Sequence, residues 1–168
     1  MSRKRISKIE NFMNMADIVS QRSHDEETQV GAILIKNDSS AIVATGYNGF
    51  IRGAQDDELP SKRPDKYEYI LHAEQNLIFN CAKHGIGTQN TTLICTHTPC
   101  RLCMRMLFSC GITQVIAKSL YRDWQDILHM DDLAVDYMFC KDTGYYYLTY
   151  LLNKPKTKRK IANKHKKR

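Results

Sequence analysis

Two short stretches limit what this chain can fold into: LHAEQN at residues 71–76 and TPCRLC at 98–103, with the apolar run TTLICTH at 91–97 between them. His72 and Glu74 stand two apart, at the entry of the helix-prone segment EQNLIFNCAKHG that Glu74 opens. On a helix, positions i and i+2 diverge by about 200°, so this pair cannot project together from mid-helix. It can converge on one point only from the helix start, where the backbone is half helical. Cys100 and Cys103, three apart, share a face of the next helix, and Pro99 fits immediately before its first turn. There the exposed N–H groups and the positive dipole end favour thiolates. The fold must therefore bring two helix starts together across a strand.

His72, Cys100 and Cys103 are a ligand set for a tetrahedral Zn2+ with one open position, the arrangement of a catalytic site and not of a closed structural one. Water at that position is acidified toward neutrality. Glu74 is then expected to take the water's proton and hand it to the substrate. Alone, a CxxC is commonly structural or redox, and a lone histidine on an amphipathic helix is usually an ordinary surface or core residue. Together, HxE, a strand and PCxxC make the pattern of zinc-dependent deaminases.

The flanking pattern is mixed α/β. Residues from about 5 to 21 carry an apolar stripe (Ile6, Ile9, Met13, Ala16, Val19) that predicts a helix covering a sheet. VGAILIK (30–36) and AIVATGY (41–47), separated by NDSS, predict an antiparallel hairpin. The polar connection from Asn48 to about Lys66 is long enough to be functional or an oligomer contact. A helix from about Ile70 to Lys83 closed by Gly85, the strand 91–97, a helix from Cys100 to about Ser109, the strand 114–119, a helix within 123–139 and a last apolar segment at 145–152 follow. Alternation of strand and helix implies parallel pairing with right-handed crossovers. The expected architecture is a three-layer α/β/α fold around a mixed five-stranded sheet, one domain over residues 1–153, with a basic disordered tail at 154–168.

Charge separates those two parts. The net charge is +7, but residues 154–168 hold nine Lys or Arg and no acidic residue, so the rest carries +7 − 9 = −2. The tail reads either as a solvated solubility aid or as a weak, salt-sensitive tether for polyanions. The first residues contain no uninterrupted apolar core of a signal peptide, and no run is long enough to span a membrane, so a cytoplasmic location is expected, the host cytoplasm if the gene is viral. Six cysteines without a secretory signal are poor evidence for disulfides; Cys81 on a helix, Cys95 on a strand, and Cys110 and Cys140 near helix ends read as small core residues.

Beyond the zinc motifs, QRSHDEETQVGAIL (21–34), GYNGFIRGAQDDELP (46–60) and KYEYILHAEQNLIFN (66–80), together with PCRLC and Tyr121, resemble the deoxycytidylate deaminase family over most of the first 125 residues. The GYNG loop discriminates, because HxE and PCxxC also occur in nucleoside, tRNA, polynucleotide and riboflavin-pathway deaminases. The resemblance implies a cytidine deaminase-like fold and hydrolysis of dCMP to dUMP and ammonia. It implies contacts from Asn48, Ala73 and Tyr121 to the nucleotide, with Arg22 and Ser23 at its 5′-phosphate. It further implies a homo-oligomer, often a hexamer, and activation by dCTP and inhibition by dTTP with a divalent ion such as Mg2+. For that effector it implies a loop site at Arg52, Asp56 and Asp57, although a solvated acidic loop is the alternative reading of the two aspartates. Ile51 replaces the family's usual proline, and Ala54 or Gln55 stands where many members have cysteine, which argues against an additional zinc site. The rival readings are a deaminase of bases in RNA or single-stranded DNA with the tail as tether, and a non-catalytic zinc-stabilised module. The acidic body opposes the first, and Glu74 beside an open ligand set opposes the second.

Overall fold

The computed structural model describes residues 5–55, 57–130 and 132–151; the basic stretch from Lys154 onward lies outside the described residues. Helix α1 (Lys8–Ser20) starts at Ser7, whose Oγ accepts from the Glu10 N–H at 3.1 Å. It buries Phe12, Met13 and Ala16, while Ile6 precedes the helix and is exposed. Strands β1 (Gly31–Lys36) and β2 (Ile42–Tyr47) form the expected hairpin, pairing Ala32 with Gly46 and Leu34 with Ala44. Helix α2 (Ala73–Lys83), strand β3 (Thr91–His97), helix α3 (Arg101–Ser109) and strand β4 (Ile112–Ser119) follow. β3 lies antiparallel to β1 and parallel to β4, so α3 is the crossover of a parallel pair.

The chain then departs from the expected pattern. The helix predicted within 123–139 is only the short α4 (Gln125–Leu128), and Val135–Cys140 forms β5, which pairs antiparallel with β6 (Tyr145–Tyr150). β6 adds onto β4, giving a six-stranded sheet in the order β2-β1-β3-β4-β6-β5 where five strands were expected. The reason is cross-strand pairing: VDYMFC is rich in β-branched and aromatic residues, and Tyr137 stacks on Tyr146 at 6.0 Å and on Trp124 at 4.9 Å. Cys140 consequently ends a strand, and it and Cys110 are half-buried, whereas Cys81 and Cys95 are core residues as expected.

Alternation along the strands sends side chains into two layers. Ile33, Ile35, Ile94 and Ile116 meet α1 on one face. Leu34, Leu93, Val115 and Leu148 meet Leu77 of α2, Met104 and Leu107 of α3, and Ile127 of α4 on the other. Helices on both faces make the three-layer α/β/α arrangement. Among the described residues, no helix is long and apolar enough to cross a membrane.

Candidate active site

The starts of α2 and α3 meet on one face of the sheet, beside the C-terminal end of β3. α2 begins at Ala73 and not Ile70, because Leu71 is held extended by a two-way backbone bridge to Gly49, with N···O distances of 3.0 and 2.9 Å. His72 is the N-cap, with extended backbone (φ −69°, ψ 155°), and its N–H donates to Gln75 Oε1 at 2.8 Å. Asn76 Nδ2 donates to the Tyr47 carbonyl at 2.9 Å, tying the first turn of α2 to β2. Cys100 caps α3 in the same extended fashion, and Cys103 lies in its first turn.

The ligand atoms of His72, Cys100 and Cys103 lie within 4.8 Å of one another, and Cys103 Sγ is 3.5 Å from His72 Nδ1. Two sulfurs and an imidazole nitrogen this close fit a tetrahedral borderline cation such as zinc with one position left open. The Cys100 thiol is held well below the ordinary cysteine range by its hydrogen bonds with Cys103 and His72, the first being the stronger. The Cys100 hydrogen bond raises His72 against the opposing effect of burial. Glu74, only 3% exposed, is pushed up to about 7 by burial, with His72 opposing. A carboxyl poised near neutrality can both accept and release a proton.

His72, Glu74 and Cys100 line an open cleft of about 590 Å³, counting solvent at its mouth. Asn48, Ala73 and Tyr121 line it too. The Tyr121 N–H donates to Thr98 Oγ1 at 2.7 Å, which sets its ring 6.5 Å from that of His72. Asn48 is buried and fixed: Nδ2 donates to the Thr28 carbonyl (2.8 Å) and Asp25 Oδ2 (3.2 Å), and Oδ1 accepts from the Val30 N–H (2.7 Å).

Other residues singled out from the sequence fall elsewhere. Ser23 is buried behind Asn48, its hydroxyl donating to the Asn48 carbonyl at 2.7 Å and accepting from the Asp25 N–H at 3.1 Å. Arg22 leaves the last turn of α1 and, with Arg52, lines a second cavity of about 1390 Å³ that also counts open solvent. The structure therefore does not bring Arg22 to the cleft. Asp57 is exposed on the loop, and Asp56 lies outside the described residues.

Sequence reasoning missed a buried ion pair at the cleft wall. Lys66, 2% exposed, donates to both Asp25 oxygens at 2.7 and 2.8 Å and lies 3.0 Å from Glu27 Oε2. Asp25 thereby links Lys66 to Asn48. Nothing in the run SKRPDKYE distinguishes Lys66 from its solvated neighbours. Arg63 and Tyr67, which line the cleft, were missed as well, as was Arg122, whose guanidinium lies over the rings of Tyr67 and Tyr121; their nearest signal was Tyr121, adjacent to Arg122.

A sheet sandwiched by helices, with an imidazole, two thiols and a buried carboxylate gathered at two helix starts, is the architecture of the zinc-dependent deaminases. The family model described as the cytidine and deoxycytidylate deaminase zinc-binding region matches residues 6–119, and the chain belongs to that family. Deoxycytidylate deaminases of Pongo abelii and Homo sapiens are each 37% identical over 116 residues, 66% of this chain and 64% of theirs. The chain thus spans somewhat less than two thirds of the length of these curated relatives. The crystal structure of the dCMP deaminase from the cyanophage S-TIM5 in complex with dCMP and dUMP is 32% identical, with a TM-score of 0.62, covering 76% of this chain and 93% of that one.

Proposed function

We propose that this chain hydrolyses dCMP to dUMP and ammonia, a supply of dUMP for thymidylate synthesis. The observation that carries the reading is the buried Glu74 in the same cleft as His72 and Cys100, whose donor set Cys103 completes. A zinc ion held by those three residues supplies the Lewis acidity that makes water a nucleophile near neutral pH. Glu74 takes one proton from the attacking water and delivers it to N3 of the cytosine, then takes the second from the new C4 hydroxyl and gives it to the departing amine, so that C4 keeps the oxygen as a carbonyl and loses ammonia. Asn48, fixed by its buried hydrogen bonds, and Tyr121 face the nucleotide, and Ala73, fully buried, lets the base approach Glu74.

The reading extends to a homo-oligomer, a hexamer, in the cytoplasm. It places a dCTP or dTTP effector with Mg2+ in the second cavity, where Arg22, Arg52 and Lys83 offer positive charge and Phe79, 52% exposed, offers an aromatic face, with Asp56 and Asp57 nearby in sequence. The test is cytosine-to-uracil conversion followed by absorbance for dCMP, deoxycytidine and a cytosine-containing oligonucleotide, with Glu74→Ala as control. Turnover of dCMP that vanishes in the control is the expected result. Turnover of the oligonucleotide alone overturns it.

A further inference from the structure

The long polar connection that the sequence marks as functional begins at Asn48 and ends at Lys66, and both ends close on one carboxylate. Asp25, 4% exposed, is surrounded by donors. Its Oδ1 accepts from the N–H groups of Glu27 (2.9 Å) and Thr28 (3.0 Å) and from Lys66 Nζ (2.7 Å). Its Oδ2 accepts from Lys66 Nζ (2.8 Å) and Asn48 Nδ2 (3.2 Å). The second hydrogen on Asn48 Nδ2 goes to the Thr28 carbonyl at 2.8 Å. Both amide hydrogens of Asn48 are therefore engaged within the protein, and Oδ1 already takes one hydrogen from the Val30 N–H at 2.7 Å. What Asn48 has left for a ligand in the cleft is one lone pair of Oδ1.

We infer that Asp25 and Lys66 are positioning residues that set the sense of the Asn48 amide, so that Asn48 meets the substrate as a hydrogen-bond acceptor only; the inference rests on the deaminase reading above. A carboxylate has no hydrogen to offer, so it fixes the amide with Nδ2 toward Asp25 and Oδ1 as the open function. Turned over, the amide would set Oδ1 against the Thr28 carbonyl and the Asp25 carboxylate, and Nδ2 against the Val30 N–H. Lys66 offsets the cost of keeping that carboxylate out of water. Asp25 and Lys66 line the cleft too, but neither has capacity left for a ligand. The three ammonium hydrogens of Lys66 face three carboxylate oxygens, two of Asp25 and one of Glu27 at 3.0 Å, and the Asp25 oxygens already share five hydrogen bonds. The pair therefore acts through Asn48.

The test exploits the amide that replaces the carboxylate in Asp25→Asn. Its oxygen stays with the Glu27 and Thr28 N–H groups, its nitrogen faces Asn48 Nδ2, and Lys66 keeps Glu27 as counter-charge. Donor then meets donor, and the Asn48 amide loses its fixed sense. The companion variant Asp25→Asn/Lys66→Met removes both charges and serves if the single change does not fold. Each is made with and without Asn48→Ala and compared with the wild type in three ways: kcat and KM for dCMP, calorimetric dCMP binding in a Glu74→Gln background, and urea denaturation without ligand. The pair variants and Asn48→Ala are each expected to raise KM and Kd about tenfold, with kcat within about threefold. Adding the pair change to Asn48→Ala should weaken binding by no more than about a further twofold, because the two act on one contact. A role in stability alone shifts the denaturation midpoint and leaves dCMP affinity at the wild-type value, which overturns the inference. Losses in affinity that multiply to about a hundredfold also overturn it, since the pair would then act apart from Asn48. If the wild type neither converts nor binds dCMP, the deaminase reading fails and the ligand-free denaturation series decides the positioning by itself. Stability losses of the pair and of Asn48→Ala that fall short of adding uphold it, and losses that add in full remove it.

Discussion

Glu74 and Lys66 are both buried ionisable side chains, and they are built for opposite ends. Glu74 sits where burial raises its pKa to about 7, suited to moving a proton, and Lys66 is held by three carboxylate oxygens, suited to staying charged. Replacing Glu74 with Gln keeps shape and removes the proton carrier. Turnover is expected to fall by about 10²- to 10⁴-fold or more while zinc content, read by atomic absorption, remains that of the wild type. Lys66→Met instead leaves Asp25 buried without its cation, which costs about 3–5 kcal/mol in a urea or thermal denaturation experiment. Burial alone would lower the Lys66 pKa, but its hydrogen bonds to Asp25 and Glu27 raise it above the ordinary 10.5. Its contribution is therefore fully present below that value and lost only as pH rises through the folded-state value. Glu27 is shifted the other way, below its ordinary 4.5, by the Lys66 hydrogen bond against the opposing effect of burial, so its share is lost as pH falls through the folded-state value. The stability gap between wild type and Lys66→Met should stay flat from about pH 6 to about pH 9 and shrink in acid. A gap that shrinks already on going from pH 6 to pH 9 would contradict the pairing.

At the scale of elements, two glycines set how closely helices approach the sheet. A Cβ on Gly46 of β2 would stand 2.5 Å from the Ala73 carbonyl and 2.7 Å from Leu77, and one on Gly31 of β1 would stand 2.0 Å from the Ala16 carbonyl. Gly46→Ala pushes on α2, which carries His72 at its start; Gly31→Ala pushes on α1, which carries no ligand. Each should cost about 1–3 kcal/mol or more from overpacking. Only Gly46→Ala should also lower zinc occupancy, and equal occupancy in the two variants would show that α2 does not need this contact to place His72. The same elements mark what could be read beforehand. His72, Glu74, Cys100 and Cys103 were legible because each helix start is specified by a few adjacent residues. Lys66 and Asp25 were not, because the pair forms across 41 residues and local pattern carries no trace of it. Neither was the contact of Arg122 with Tyr67 across 55 residues. β5 was read as helix because a short apolar-aromatic run has no decisive period until β6 supplies its partner.

For the whole molecule, charge separates catalysis from any contact with polyanions. Residues 154–168 carry nine positive charges, and the other residues together carry a net −2. The described residues that line the cleft end at Tyr121, so a chain ending at residue 153 should turn over dCMP within about twofold of the full chain, since no cleft-lining side chain is lost. Retention on single-stranded DNA at low salt should disappear with the tail. For the full chain, a plot of log affinity against log salt should have a slope no steeper than about −6, the limit for nine phosphate contacts on a single strand. If deleting the tail cut dCMP turnover as sharply as it cut retention, the charge separation would not separate function. The basic segment would then have to reach the cleft, and salt would modulate kcat/KM for dCMP as steeply as it modulates binding to DNA.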